Sequence, residues 1–453
     1  MNDNDIVNYV VIIGLVVILG LLIYSIFIRK PCCDCNKSVT QGVAGSYTSC
    51  DQYKSSSGCN KSKLGCKWNG SSCISDGSGP TPPPAPPGPA PSPGSTNCKS
   101  PGGKIQARDM NGNPVDWWLI IKYPKELLSG ETNCNCGTCT GTSKPGSSEG
   151  ACYFYADSNN STLKWFGNGN CINTCDNALS KTISQATSGT SYGTWNDQPE
   201  HARTCGEPKA HSKGMVCYDS SGGFVLNTTT PHFPVDQVPP GSSPAGCQND
   251  DNLKAAQQFF CMSLDMDNLK TWGKAAENAQ LCGSDQWGVG LILSKSGKSH
   301  GKSISNVELQ TMGGTKILMT VKAGDDYYNP WSLVSAGIGV PVQVASWTAA
   351  KDGSDTSSWG TAPCYSGSKG LKQIVTIGDS THGVFKATYG TTHAKFGIST
   401  SPNWVTFGSM NQQNSQGRRG GDFYSMQNTT LWNTLNQWVN NGSTRNPTGC
   451  GIN

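Results

Sequence analysis

The chain has 453 residues, of which 35% are hydrophobic and only 14% charged, with 55 glycines, 26 prolines and 21 cysteines. That length can bury at least one large core and suggests roughly two or three domains. The scarcity of charge, with abundant Gly, Ser, Thr and Asn, fits a loop-rich surface of secreted or virion type and not a helical cytosolic enzyme. A formal net charge of +4 permits a nucleic-acid partner without requiring one, because strong phosphate binders concentrate far more Lys and Arg.

The run from Ile6 to Ile28 is apolar apart from Asn8, Tyr9, Tyr24, Ser25 and glycines. At about 1.5 Å per helical residue it is long enough to span a bilayer. A cleaved signal peptide fits poorly: Asp3 and Asp5 stand where basic residues would be needed, and no small-x-small cleavage site follows. Residues 1–30 therefore read as an uncleaved transmembrane anchor. Arg29 and Lys30 close the span and, by the positive-inside rule, would hold the rest of the chain on the cytosolic side. The cysteines oppose this. Cys50, Cys59, Cys66 and Cys73 read as a disulfide framework, which belongs to an oxidising space, and Asn69 and Asn160 head glycosylation sequons. Two resolutions stay open: either the large domain is translocated despite the basic pair, or the protein belongs to a system that makes disulfides on the cytosolic side, as large DNA viruses with an internal membrane do. The odd cysteine total leaves at least one thiol unpaired, and Cys32, Cys33 and Cys35 beside the membrane are candidates for acylation.

Residues 31–78 read as a small cysteine-stapled module, and residues 79–97, with TPPPAPPGPAPSPG, as a semi-rigid polyproline spacer. Two lobes are expected beyond it, over 98–246 and 247–453. The first opens with Val115 to Tyr123, apolar nearly throughout, as a strand buried on both faces would be. Cys134, Cys136 and Cys139 lack an obvious fourth metal ligand and read as a disulfide-bonded loop, so no metal and no cofactor is expected. In the second lobe a helix is expected over 253–274, interrupted near Asp265, then strands over 288–293 and 316–321, and a closing helix over 431–439 with Leu431, Trp432, Leu435 and Trp438 on one face.

Two short patterns carry chemistry. His211 and Lys213 stand two apart, followed by GMVCYD; His393 and Lys395 stand two apart in TTHAKFGISTSPNWVTFGSMN. On a strand each pair leaves one face, with Ala394, Phe396 and Ile398 on the opposite, apolar one. Two such strands facing across a pseudo-twofold axis would place two imidazoles and two ammonium groups around one anion, which suits phosphodiester cleavage through a phosphohistidine. Ser409 and Asn411, in the GSMN run, could return polar groups to the same pocket. Arg418 and Arg419, in a glycine-flanked loop, are either a solvated pair or phosphate contacts.

PVDWWLIIKYP, WNDQP, HSKGMVCYDSSGGFVL, PHFP, QQFFCMS and HAKFGIS followed by MNQQNSQGRRGGDF occur in this order, and on these motifs the chain over about 98–439 resembles the deoxyribonuclease II family. The resemblance implies an α/β fold of two phospholipase D-like lobes with pseudo-twofold symmetry, each giving one histidine and one lysine. It also implies a metal-independent endonuclease that acts on DNA and leaves 3′-phosphates. One of His211 and His393 would attack phosphorus while the other protonates the leaving 5′-oxygen; Lys213 and Lys395 would offset charge on the non-bridging oxygens. Asp219 is either the acid of the phospholipase D pattern or a turn residue. Thr228 stands where the family commonly has a further histidine, and threonine cannot carry a proton near neutrality. The competing class is structural: a membrane-associated minor capsid protein of a large DNA virus, with capsid proteins and lipid as partners. A phospholipase D-like lipid hydrolase suits the anchor but not WNDQP and PVDWW. Location is correspondingly a virion inner membrane beneath its capsid or a secretory lumen.

The apolar run predicts that the full chain stays in the membrane pellet on alkaline carbonate extraction, whereas a chain starting at residue 31 is released. Full-length protein in the supernatant contradicts the anchor.

Overall fold

The computed structural model describes residues 102–129, 150–167, 172, 175–187, 190–198, 205–231, 233, 254–283, 304–347, 362–387, 390–401, 403–446 and 450–452, with the backbone of two short strands near the N-terminus. The chain divides into a unit over 1–92 and a unit over 93–453. In the first, β1 (Cys66–Trp68) and β2 (Cys73–Ser75) form an antiparallel hairpin. The expected span over 6–28, the juxtamembrane cysteines, the polyproline stretch, the cluster Cys134, Cys136 and Cys139, and the expected strand over 288–293 lie outside the described residues. Among the described residues no helix is long and apolar enough to cross a membrane.

The second unit is mixed α/β. Its first half contains β3 (Trp117–Lys122), β4 (Tyr153–Asp157), β5 (Lys164–Phe166), α1 (Ala178–Ile183), β6 (Ser191–Asn196), β7 (Lys213–Asp219), β8 (Gly222–Thr228), β9 (Gln257–Asp265) and α2 (Met266–Ala279). Its second half contains β10 (Ser305–Gln310), β11 (Lys316–Lys322), α3 (Pro330–Ile338), β12 (Val342–Ala345), β13 (Leu371–Asp379), β14 (Gly383–Lys386), β15 (Phe396–Ser399), β16 (Trp404–Gly408), β17 (Gly421–Gln427), α4 (Thr429–Asn440) and β18 (Ser443–Arg445). The strands form a seven-stranded sheet, ordered β5-β4-β3-β9-β8-β7-β6, and a nine-stranded one, ordered β10-β11-β17-β16-β15-β12-β13-β14 with β18 on β13.

Expected elements appear at β3, whose six residues are all buried, at β11 and at α4, which buries Leu431, Leu435 and Trp438. The helix expected over 253–274 does not form as such. Its first part is β9, QQFFCMSLD, buried up to its last residue and paired between β3 and β8. A short apolar run buried on both faces looks alike in strand and helix, so periodicity could not separate them. The expected break at Asp265 is a real boundary: its carboxylate accepts from the Asn268 amide at 2.8 Å and caps α2. Because β9 completes the first sheet, that sheet extends beyond residue 246.

The two halves share a series of elements: an inner strand, a helix, then three successive antiparallel strands and a closing helix. Thus β7-β8-β9-α2 corresponds to β15-β16-β17-α4, in the same spatial order. The local bonds match as well. Gln258 N donates to Thr229 Oγ1 at 3.0 Å, and Asp422 N donates to Ser409 Oγ at 3.0 Å. One core lies between the sheets and takes in α2 and α4, with Phe260 stacked on Phe407 at 5.0 Å between ring centres. Helix α1 covers the outer face of the first sheet, and α3 that of the second. Disulfides Cys205–Cys282 and Cys364–Cys450 close loops with separations of 77 and 86 residues; loops of this size restrict the unfolded chain by about 4 kcal/mol each.

Phe260 belongs to the shared core and is 1% exposed. Phe260→Ala should lower the unfolding free energy by about 3–5 kcal/mol, measured by denaturant titration. A change below about 1 kcal/mol would show that the sheets do not depend on this contact.

Candidate active site

The two histidines are brought together by backbone bonds that cross between the halves. His211 N donates to Gly420 O at 2.9 Å, and His393 N donates to Ala256 O at 2.7 Å. Gly420 immediately precedes β17 and Ala256 immediately precedes β9, so these are corresponding bonds in the two halves. Both histidines sit on the extended approach to a strand and not inside it, since β7 begins at Lys213 and β15 at Phe396. As expected, Ala394, Phe396 and Ile398 go into the core. Gly214 lets β7 pass close to its neighbour: a Cβ there would strike the Trp195 ring and the Leu226 carbonyl. Trp195 Nε1 in turn donates to Ser212 Oγ at 2.9 Å, fixing the residue between His211 and Lys213.

One carboxylate anchors this cationic centre. Asp197, 1% exposed, takes Lys213 Nζ on Oδ1 at 2.5 Å and Arg419 on Oδ2 at 3.0 Å, with His211 Nε2 at 4.0 Å. Burial alone would raise its pKa, but Lys213, His211 and Arg419 outweigh that and hold it well below the usual carboxylate range. Lys395 has no carboxylate of its own among the described residues; its ammonium donates to the His393 carbonyl at 2.6 Å, and burial, reinforced by Lys213, pushes its pKa well down. His211 Nδ1 lies 2.9 Å from the Ser409 carbonyl, which fixes the proton on that nitrogen and leaves Nε2 free for chemistry. His393 meets the Trp347 ring edge-on at 4.4 Å. Burial lowers His211 to about 3 and His393 to about 2, and the neighbouring lysines push in the same direction. Both imidazoles are therefore neutral in the free protein near pH 7. Each feels the other half's lysine, so the four residues form one electrostatic unit.

The structure sorts the remaining expected residues. Ser409 is in the site through its carbonyl, while its hydroxyl serves the Asp422 backbone. Asn411 is buried, and its Oδ1 has no partner among the described residues. Arg419 and Arg418 part company. Arg419 clamps Asp197 and three carbonyls, those of Cys205, Lys209 and Ala210, whereas Arg418 is exposed with its guanidinium over the Tyr327 ring at 5.3 Å. Asp219 lies at the far end of β7 from Lys213 and accepts from the Ser221 amide and hydroxyl, so it is the turn residue and not the acid of the site. Thr228 is buried opposite Lys213 and donates to Gln258 O at 3.1 Å, a packing role with no proton to pass. Sequence reasoning missed Asp197, although it lies inside the quoted WNDQP. It also missed Gln258, whose Oε1 accepts from Lys395 N at 2.9 Å and whose Nε2 donates to Gly408 O at 3.0 Å. Among the described residues no group of three His, Cys, Asp or Glu side chains is placed to hold a metal ion.

The family profile described as Deoxyribonuclease II matches residues 106–444. The chain is 26% identical over 362 residues to cell-death-related nuclease 7 of Caenorhabditis elegans, covering 74% of this chain and 87% of that one. It is 24% identical over 351 residues to deoxyribonuclease-2-alpha of Rattus norvegicus, covering 73% and 91%. It is 26% identical over 359 residues to a putative deoxyribonuclease-2 of Burkholderia pseudomallei, covering 74% and 92%.

The depressed histidines make a pH prediction. An unfolded histidine titrates near about 6.5, while folded His211 does so near about 3. Between these values the unfolded chain binds the proton and the folded one refuses it, so the stability present above pH ~6.5 is lost as the pH falls toward 3. The denaturant midpoint should drop between pH 7.5 and pH 5, and drop less in His211→Asn; equal drops contradict the depressed pKa.

Proposed function

The chain belongs to the deoxyribonuclease II family, and we propose on that premise that it cleaves DNA by a two-step displacement at phosphorus carried by His211, His393, Lys213 and Lys395. The observation that carries this reading is the crossed pair of backbone bonds, His211 to Gly420 and His393 to Ala256, which turns two separate His-x-Lys segments into one site. The phosphodiester enters between the imidazoles. One neutral histidine attacks, the other, charged on substrate binding, protonates the 5′-oxygen, and water then releases a 3′-phosphate. The bound anion adds negative charge to this cationic centre, so it raises both histidines toward the range where one can act as acid. Lys213 and Lys395 stabilise the non-bridging oxygens as charge builds in the transition state.

Asn411, with its buried carboxamide oxygen beside this loop, orients a histidine or a water. Arg419 acts through Asp197. The two lobes take the phospholipase D-like arrangement that the corresponding strand series supports. Relatives named as nucleases favour the enzyme over the capsid reading. A membrane tether over 6–28 belongs to this reading, and the disulfides are consistent with an oxidising space around the catalytic unit.

The chain should nick supercoiled plasmid in EDTA, faster at pH 5–6 than at pH 8, because anion binding is coupled to proton uptake by the histidines. His211→Ala and His393→Ala should each lower the rate by about 10²–10⁴, with the double variant no worse than the singles. Activity that requires added Mg²⁺, or near-full rate in either single variant, contradicts the mechanism.

A further inference from the structure

The two half-sites are built alike but are not equal. Strand β6 pairs with β7 so that Asn196 faces Lys213, and β12 pairs with β15 so that Ala345 faces Phe396. Continuing each register, Asp197 falls opposite Ser212 and Trp347 opposite Ala394, the residue between histidine and lysine in each half. A carboxylate therefore stands in the first half where an indole stands in the second. The surroundings of the two imidazoles differ accordingly. His211 has its Nδ1 proton on the Ser409 carbonyl and its Nε2 4.0 Å from Asp197, so a second proton would sit beside a negative charge. His393 has the Trp347 ring at 4.4 Å. The charged groups it feels are Lys395, Lys213, His211 and Lys122, all of which disfavour a proton on it.

We propose that Asp197 divides the work of the two histidines, making His211 the acid that protonates the leaving oxygen and His393 the nucleophile that carries the phosphoryl group. The inference rests on the two-step reading above and completes it. In the first step a His393 ring nitrogen gives its lone pair to phosphorus. The P–O5′ bond breaks, its electron pair stays on O5′, and O5′ takes the proton from His211 Nε2. In the second step neutral His211 takes a proton from water, the water oxygen attacks phosphorus, and the P–N bond breaks and returns its electrons to His393. Asp197 touches no substrate atom in this scheme. It is a positioning residue, set by Lys213 and Arg419, that favours the charged form of His211.

An oligonucleotide whose scissile 5′-oxygen is replaced by sulfur separates the roles, because a thiolate leaves without a proton. His211→Asn should lose about 10²–10⁴ in rate on ordinary DNA yet break the P–S bond within about tenfold of the unaltered protein. Lacking the base for the second step, it should retain the 5′-labelled upstream strand as an adduct mapping to His393. His393→Asn should lose both substrates alike and hold no adduct. Asp197→Asn should lose at least about tenfold more on ordinary DNA than on the sulfur substrate, a difference that mere misfolding cannot produce. An adduct on His211, or sulfur rescue of His393→Asn in place of His211→Asn, overturns the assignment while leaving the covalent mechanism intact. Equal losses for Asp197→Asn on both substrates remove Asp197 from it. No adduct in any variant overturns the assignment and the two-step reading together.

Discussion

The centre of this protein must hold Lys213, Lys395 and Arg419 close together, away from bulk water, and among the described residues one carboxylate pairs with two of them. Asp197 is that carboxylate. Its two oxygens are divided between Lys213 at 2.5 Å and Arg419 at 3.0 Å, which neutralises part of the charge and leaves an excess of positive charge facing the histidines. Removing one member of such a buried group leaves an uncompensated charge, which costs several kcal/mol. A net positive charge of this kind is suited to an anion. Burial, reinforced by the same excess, keeps both imidazoles neutral in the free protein.

That charge cluster could not form within one half. His211 depends on the Gly420 carbonyl and His393 on the Ala256 carbonyl, each from the other half. The residues on which these bonds converge precede the corresponding strands β17 and β9, so the match of the two halves is what sets the spacing of the histidines. The stacked Phe260 and Phe407 hold the sheets in that relation, and the Cys205–Cys282 disulfide ties the approach to His211 to the end of α2. Stability and the geometry of the candidate site thus draw on the same contacts: a substitution that loosens the shared core also moves one histidine relative to the other.

Much of the site was legible in the sequence because its chemistry is local. A histidine two residues before a lysine reads out both a strand and its reactive face, and it occurs once in each half, with apolar Ala394 between the pair only in the second. The paired residues Lys213 and Lys395, and the apolar Phe396 and Ile398, are where that pattern puts them. What was not legible depends on partners distant in the chain. Asp197 is 16 residues from Lys213 and Arg419 is over 200 residues from the carbonyls it clamps; no spacing rule links them. Asp219 stayed open between acid and turn residue because it is near Lys213 in sequence, while the extended strand carries it to the far end. The run QQFFCMSLD misled because, buried on both faces, it has no periodicity to betray a strand.

The most direct measurement is a crystal structure of the chain soaked with tungstate, an anion with the shape of a phosphoryl group. The paired site predicts one tungstate within hydrogen-bond reach of His211 and His393 together, with Lys213 and Lys395 on its remaining oxygens. A tungstate held by one His-x-Lys pair alone, or two separate anions with the histidines apart, would contradict a single active site built from both halves.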